Sequence, residues 1–272
     1  GERHPVTSPT HLQRAEEYIA DTFEQLGLQA SLHPFEAMGG TYRNVIASLL
    51  PTYQATGQGM LQAPLILAAH YDTVEGSPGA DDNASAVAVL LETARRLRGV
   101  DRVREVHCIA FCLEEEGLLG SLAYAAELKA AKRTIAGAIV LECVGYASGE
   151  EGSQTVPPGT PFAVPTIGNF LAVVGNTTSA ALTASVAQAA TPHVPVVPLV
   201  IPGNGELLPD TRRSDHAAFW YYGFPAVMLT DTANFRNPNY HKSTDTLDTL
   251  NLRFLEQVAD AVTASANDLA GR

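Results

Sequence analysis

Strand-length apolar runs alternate with amphipathic helical patterns along most of this chain. The runs are rich in branched residues, as buried strands are, and they lie at residues 44–50, 65–69, 106–113, 138–144, 170–174 and 226–230. The helical patterns lie at residues 12–26, 84–97, 118–131, 179–190, 214–222 and 252–269. An alternating strand is also predicted at residues 29–36. Because parallel strands need a crossover connection, usually a helix, the alternation predicts an α/β fold whose mostly parallel sheet is covered by helices on both faces.

The composition allows one large hydrophobic core. Hydrophobic residues make up 46% of the 272 positions and charged residues only 17%, against about 25% in ordinary globular domains. α/β architectures of about 250 residues often fold as one unit. We therefore predict a single domain over residues 1–272.

Charge and hydropathy exclude two classes of partner. The 29 acidic side chains outnumber the 17 basic ones and give a net charge of −12, so no nucleic acid is expected to bind. The apolar run before His70 is far shorter than the roughly 18 residues that a membrane span needs. We expect a soluble protein, with the cytoplasm favoured over secretion, and the oligomeric state stays open. Cys108, Cys112 and Cys143 are an odd number with spacings that predict no disulfide framework.

Metal-type ligands follow the apolar runs. In open α/β sheets, ligands bind beyond the carboxyl ends of the strands, so the polar residues there are the candidates. They are His70, Asp72, Asp81, Asp82, Glu114, Glu115, Glu116 and Glu142, with His241 in the later segment Tyr-His-Lys-Ser-Thr-Asp-Thr. Each residue alone is explained by ordinary hydrogen bonding or a solvated turn. The combination is much more specific for a metal site.

The spacing of these residues indicates which of them can bind metal, which can orient a ligand and which can act as a base. Asp72 lies two residues after His70 and can fix the orientation of its imidazole. Asp82 precedes a small-residue helix start, where backbone N–H groups can hold one carboxylate so that it bridges two cations. Glu114 and Glu115 follow a strand directly and point in opposite senses, so one can bind metal while the other acts as a base.

These motifs resemble metallopeptidase family 28, the co-catalytic dizinc aminopeptidase-like exopeptidases. The resemblance extends from Gly-Glu-Arg-His-Pro at the start, through Ser-Asp-His-Ala-Ala-Phe-Trp at residues 214–220, to the Tyr-His-Lys-Ser-Thr-Asp-Thr segment. It implies an α/β/α sandwich around a mixed sheet. It also implies a catalytic domain that hydrolyses a terminal bond of a peptide or peptide-like amide with metal-activated hydroxide.

Residue by residue, the resemblance implies two zinc ions, for which manganese or cobalt could substitute. His70 and Glu142 would hold one ion and Glu115 and His241 the other, with Asp82 bridging both. Glu114 would be the general base, Asp72 would orient His70, and Tyr240 would help to stabilise the tetrahedral intermediate.

Glu142 departs from the family pattern, because the best-known aminopeptidases of this group have Asp there. In related dizinc exopeptidases, Glu at this ligand often accompanies carboxypeptidase or amidase activity, so these remain alternatives to the aminopeptidase. Arg212 and Arg213 could pair with a substrate carboxylate or simply form a solvated loop face. A glutaminyl cyclase with one zinc and a non-catalytic domain of the same fold are further alternatives. The complete ligand set argues against both.

The remaining polar and aromatic residues have two interpretations each. Ser214, Asp215 and His216 are consecutive and cannot converge as a triad, so they are interpreted as pocket residues or structural hydrogen-bonding groups. The aromatic residues 219–222 wall a pocket or pack in the core. The loops at residues 147–169 and 203–213 are surface connections or the rim of a site. Cys143 is interpreted as a core residue, and the histidines that lack ligand partners as structural: His4, His11, His33, His107 and His193.

Overall fold

The computed structural model describes residues 1–52, 62–157, 160 and 163–271. Its helices are α1 (Pro9–Gln25), α2 (Ala86–Leu97), α3 (Leu119–Ala130), α4 (Ala180–Ala190), α5 (His216–Tyr221) and α6 (Leu252–Ala270). Its strands are β1 (Ala30–Ala37), β2 (Gly40–Leu49), β3 (Leu65–His70), β4 (Val106–Phe111), β5 (Gly137–Glu142), β6 (Leu171–Asn176), β7 (Val196–Ile201) and β8 (Ala226–Thr230).

The strands form one mixed sheet in the order β1-β2-β4-β3-β5-β8-β6-β7. The central strands β4, β3, β5 and β8 are mutually parallel, and β6 pairs in parallel with β7. The β1–β2, β2–β4 and β6–β8 pairs are antiparallel. The carboxyl ends of the four central strands therefore meet at one edge of the sheet, as the sequence predicts.

Helices cover both faces of the sheet. Alternate residues of each central strand point to opposite faces. Leu67 belongs to the core cluster that contains residues of α1, α2, α4 and α6, and Ala68 belongs to the one that contains residues of α3 and α5. In α1, one face buries Ile19 and Phe23, and the chain turns at Gly27, whose φ of +72° suits a residue without a Cβ. The three-layer α/β/α prediction is confirmed.

Strand β7 was not predicted. It lies at the edge of the sheet, Pro198 interrupts its apolar run, and five of its six residues are half-buried or exposed. A second difference concerns β4, which ends at Phe111 rather than at residue 113. Leu113 has a φ of +60°, so the chain turns before the two glutamates that follow.

Three further features bear on the sequence-based expectations. Cys108, Cys112 and Cys143 are free and buried. Phe219 and Trp220 belong to the core between the sheet and α3, while Tyr221 is exposed. The pocket interpretation of these aromatics is therefore wrong, and the core interpretation holds for Phe219 and Trp220. Within the described part of the chain, no helix combines the length and the apolar character needed to cross a membrane.

Candidate metal centre

Two predicted ligands end neighbouring parallel strands. His70 is the last residue of β3 and Glu142 is the last residue of β5. Because β3 and β5 pair in parallel, both side chains reach the same edge of the sheet. His70 Nε2 lies 3.3 Å from Glu142 Oε2, and both residues are buried. The imidazole and the carboxylate thus face one point.

Asp82 lies between two imidazoles. It comes from the helical turn Ala80–Ser85, and His241 comes from the segment that follows β8. Asp82 Oδ1 lies 3.3 Å from His70 Nε2, and Asp82 Oδ2 lies 3.0 Å from His241 Nε2. Each oxygen of one carboxylate therefore faces a different imidazole, which is the geometry of a bridging ligand.

The two glutamates after β4 reach different sides of this centre. Glu115 Oε2 lies 3.4 Å from His241 Nε2, and Glu114 Oε2 lies 3.9 Å from His70 Nε2. They extend from a turn rather than from an extended strand, so their separation arises from the left-handed backbone at Leu113. All five predicted metal ligands and the predicted base come together.

Asp72 supports both halves of the site. Its Oδ1 lies 3.5 Å from His70 Nδ1, the nitrogen that faces away from Asp82. Its two oxygens also accept the backbone N–H groups of Glu114 and Glu115, each at 3.1 Å. One buried carboxylate therefore positions the imidazole and the glutamate turn, and the second contact was not predicted from sequence.

Asp82 is not held in the predicted manner. Both of its carboxylate oxygens are buried without a hydrogen-bond partner. Instead, the backbone N–H groups of Asp81 and Asp82 donate to Asp245 at 2.9 and 3.1 Å. Asp245 thus fixes the backbone and leaves the Asp82 carboxylate available. The prediction of backbone N–H support for that carboxylate is wrong. The sequence feature that could have indicated this support is the position of Asp245, four residues after the candidate ligand His241.

Arg3 is a further supporting residue that sequence reasoning did not assign. Its half-buried guanidinium donates to the carbonyl oxygens of Tyr71, Pro78 and Gly79 at 2.7 to 2.9 Å. These carbonyls belong to the loop between His70 and Asp82. Arg3 therefore ties the start of the chain to the loop that connects two candidate ligands.

The electrostatics of the centre favour bound cations. His70 Nε2, both Asp82 oxygens and Glu115 Oε1 are buried without hydrogen-bond partners, an unfavourable state unless something else binds them. Burial raises the pKa of Glu115 to about 7. Burial alone would lower the pKa of His241, but Asp82 and Glu115 outweigh it and raise that pKa to about 9.

The donor set suits zinc. Ligand atoms of His70, Asp82 and Glu115 lie within 4.8 Å of one another, and so do those of His70, Glu114 and Glu142. Imidazole nitrogen and carboxylate oxygen are both ordinary zinc donors. The orphaned buried atoms and the chemistry of the donors therefore fit divalent cations at this edge of the sheet.

Two side chains hold the carboxylate of Glu142. The Ser214 hydroxyl donates to Oε2 at 2.7 Å, and the Cys143 thiol donates to Oε1 at 3.2 Å. Ser214 therefore supports the candidate centre, whereas Cys143 is a buried residue, as predicted, with one polar contact in addition. Groups that hydrogen-bond metal ligands fix their orientation and affect metal affinity.

Replacing Ser214 with alanine is expected to weaken zinc binding about tenfold to hundredfold, because Glu142 loses the hydroxyl that fixes Oε2. Competition with a chromophoric chelator measures the affinity. Ser265→Ala is the matched control, since Ser265 is equally buried and donates to the carbonyls of Ala261 in α6 and Val186 in α4. Equal zinc affinities in the two variants would contradict the assignment.

Asp215 and His216 do not complete a triad with Ser214. His216 Nε2 donates to the Thr211 carbonyl at 2.8 Å, and its ring contacts Trp220 edge to face with centroids 4.4 Å apart. Burial raises the pKa of Asp215 to about 7 and lowers that of His216 to about 4. His216 is therefore a neutral structural residue near pH 7.

His216 is expected to make the fold sensitive to acid. An unfolded histidine takes up a proton below about pH 6.5, whereas the folded one stays neutral to about pH 4. Stability falls as the pH drops through this window, by up to about 3 kcal/mol. Urea unfolding at pH 7 and pH 4.5 should show a larger loss in the wild type than in His216→Gln, which cannot titrate. Parallel losses would contradict this assignment.

A cavity of about 410 Å³ adjoins the centre at Glu142 and Tyr240. Most of its walls are apolar, including Phe170 and Met228. The loops at residues 147–169 and 203–213 contribute to it, so their interpretation as a rim is confirmed for the described residues. Residues 158, 159, 161 and 162 of the first loop lie outside the described ranges. Arg212 and Arg213 are both exposed, in agreement with a solvated loop face, and Arg213 also lines the cavity.

The sequence pattern of peptidase family M28 matches residues 44–266. The chain belongs to this family. Its relatives include the uncharacterized protein YfbL of Escherichia coli (strain K12), which is 35% identical over 95% of this chain and 81% of its own length. The M28 match covers all five candidate ligands.

Two solved structures are informative neighbours of this M28 chain. BSAP, a zinc aminopeptidase from Bacillus subtilis, is 27% identical with a TM-score of 0.64, over 86% of this chain and 52% of its own. This chain thus spans about half the length of that enzyme. A glutaminyl cyclase from Porphyromonas gingivalis, 20% identical, shares the fold with a TM-score of 0.71, over 98% of this chain and 93% of its own.

Family membership confirms several predictions. The chain is a zinc-dependent metallopeptidase of family M28, its fold is that of the family, and peptides are its substrate class. Among the histidines predicted to be structural, His33 and His107 contact Glu127 and Glu105 at 2.9 and 3.0 Å instead of the centre.

Proposed function

We propose that this M28 peptidase is a dizinc aminopeptidase and that residues 1–272 act as one catalytic unit. The observation that carries the proposal is the position of Asp82, whose two oxygens face the imidazoles of His70 and His241 separately, at 3.3 and 3.0 Å. His70 and Glu142 would hold one ion, Glu115 and His241 would hold the other, and Asp82 would be their shared ligand.

Zinc held by these residues would supply a water of lowered pKa and a Lewis acid for the scissile carbonyl. The remaining chemistry belongs to side chains of this chain. Glu114 takes the proton from the attacking water and passes it to the leaving amine. Its carboxylate is buried beside the centre, 3.9 Å from His70 Nε2. Burial raises the pKa of Glu114, which strengthens it as a proton acceptor.

Tyr240 donates its hydroxyl proton to the oxyanion that develops on the substrate carbonyl. It precedes the ligand His241 and stacks on that imidazole, with ring centroids 3.8 Å apart. Together with Glu142 it lines the cavity. The apolar walls of the cavity receive the side chain of the terminal residue.

The charge of the cavity wall does not favour a substrate with a free carboxylate, because the described lining residues offer it no uncompensated cation. The cationic side chain in the wall, Arg213, already has Asp210 as a countercharge at 3.4 Å. These groups support an aminopeptidase.

A carboxypeptidase or amidohydrolase of the same fold is the second candidate. Glu142, in place of the Asp of the best-known aminopeptidases, favours it. A glutaminyl cyclase has the same fold but uses one zinc. The second ligand pair here, His70 and Glu142, beside Asp82, Glu115 and His241 argues against it.

An activity screen on the zinc-loaded protein tests the proposal. Aminoacyl amides and N-blocked dipeptides with free carboxylates are offered side by side, and zinc per chain is measured. We expect cleavage of the aminoacyl amides and about two zinc ions per chain. Cleavage of only the blocked series would replace the aminopeptidase with a carboxypeptidase. A stoichiometry of one would contradict the dizinc assignment.

A further inference from the structure

Arg213 and Tyr240 meet at the wall of the cavity. Arg213 Nη2 lies 3.0 Å from the Tyr240 hydroxyl oxygen, and its guanidinium carbon lies 5.6 Å from the centre of the tyrosine ring. We propose that Arg213 is a positioning residue that directs the hydroxyl proton of Tyr240 toward the substrate. This inference rests on the function proposed above, in which Tyr240 donates to the oxyanion.

The hydrogen-bonding capacities of the two side chains determine which atom donates. A guanidinium has only donors, whereas a phenol has one donor and acceptor lone pairs. Tyr240 therefore accepts from Arg213, and its own proton cannot point at Arg213. The proton is left for an acceptor on the cavity side, where both residues and Glu142 lie.

The charge of Arg213 also makes Tyr240 a better donor. A hydrogen bond from a cation polarises the hydroxyl that accepts it, and such bonds are roughly twice as strong as neutral ones. A donor that is polarised and aimed before the reaction stabilises an oxyanion without a reorganisation cost. Arg213 thus acts on the reaction through Tyr240.

Both partners are fixed by other neighbours. Arg213 Nη1 donates to Asn234 Oδ1 at 2.9 Å and lies 3.4 Å from Asp210 Oδ1. The ring of Tyr240 stacks on His241 at an interplanar angle of 15°. The guanidinium and the phenol are therefore held independently of their contact with each other. Because Asn234 and Asp210 already contact Arg213, its guanidinium is less available to bind a substrate carboxylate.

A double-mutant cycle on the zinc-loaded protein tests the inference. Arg213→Met is expected to lower kcat about tenfold to hundredfold with little change in KM, because a hydrogen bond from a charged group to the oxyanion donor is lost. Arg213→Lys should recover part of this loss. The double variant with Tyr240→Phe should be no slower than Tyr240→Phe alone.

Ligand affinity gives a readout that does not depend on turnover. Calorimetry with an aminophosphonate, which mimics the tetrahedral state, should show the same fold loss in Arg213→Met, while the product amino acid binds as it does to the wild type. Arg212→Met is the matched control, because this adjacent arginine is outside the set of described residues that line the cavity. Zinc content and the thermal midpoint are measured for every variant.

Several outcomes would overturn the inference. If Arg213→Met raises KM alone, or if its loss of kcat multiplies with that of Tyr240→Phe in the double variant, Arg213 does not act through Tyr240. A normal Tyr240→Phe enzyme would remove the proposed role of Tyr240 and this inference with it. An impaired Tyr240→Phe beside a normal Arg213→Met would remove this inference alone. Should Arg213→Met fail to fold, Asn234→Ala must show a smaller loss of kcat at constant KM, and unchanged kinetics would count against the inference.

Discussion

The Glu114→Gln variant is expected to turn over substrate about a hundredfold to ten-thousandfold more slowly than the wild type, with an unchanged zinc content. Glutamine has nearly the same shape as glutamate but cannot accept the proton from water. The Glu114 side chain is 8% exposed, and the Asp72 carboxylate holds its backbone N–H at 3.1 Å. The substitution therefore removes proton transfer and leaves the site in place. Steady-state kinetics and mass-spectrometric zinc analysis measure the two quantities.

Glu116→Gln is the matched control for this variant. Glu116 is on the same turn, but its side chain is 30% exposed and pairs with His4 at 3.3 Å. We expect the kinetics of Glu116→Gln to stay close to those of the wild type, because His4, the partner of Glu116, is not one of the candidate metal ligands. A Glu114→Gln enzyme with near-normal turnover would remove Glu114 from the mechanism.

The sequence predicted the part of the site that depends on strand ends. Strands β3 and β5 are buried on both faces, so their sequences are continuous apolar runs. The first polar residues, His70 and Glu142, mark the point where each strand leaves the core. Parallel pairing then brings these ends together without further information from the sequence. The helices were predicted within a few residues for the same reason, since burial on one face imposes a helical period.

The supporting contacts could not be predicted in this way. Asp245 accepts the backbone N–H groups of Asp81 and Asp82, and Asp72 accepts those of Glu114 and Glu115. A backbone N–H is the same for every residue except proline, so no side-chain pattern reveals which one a distant carboxylate will bind. Asp245 is separated from Asp81 by 164 positions, and only the folded chain brings them together.

These contacts explain how the centre keeps its carboxylates free for cations. Asp72 and Asp245 satisfy backbone groups, and Ser214 and Cys143 hold Glu142. The Asp82 carboxylate has no such partner. An unpartnered buried carboxylate is unfavourable in the absence of a counter-ion. Asp82, which lies between the two imidazoles, is therefore the carboxylate that most needs a bound cation.

Asp82→Asn is accordingly expected to weaken the binding of at least one zinc ion by more than about a hundredfold, beyond the effect of residues that only support a ligand. The amide keeps the shape of the side chain but removes its negative charge and one of its two acceptor oxygens. The imidazoles of His70 and His241 then lose the shared carboxylate, which lies 3.3 and 3.0 Å from them. Stoichiometry should fall from about two zinc ions toward one, and hydrolysis with it.

Asp248→Asn provides the comparison that separates bridging from general charge. Asp248 follows His241 in the same segment and accepts a hydrogen bond from Thr246 at 2.6 Å. Its loss changes the net charge by the same amount as the Asp82 substitution. If the centre depends on total negative charge, both variants lose zinc together. If Asp82 bridges two ions, only Asp82→Asn loses zinc and Asp248→Asn keeps it. An Asp82→Asn protein with two tightly bound zinc ions would exclude the bridge.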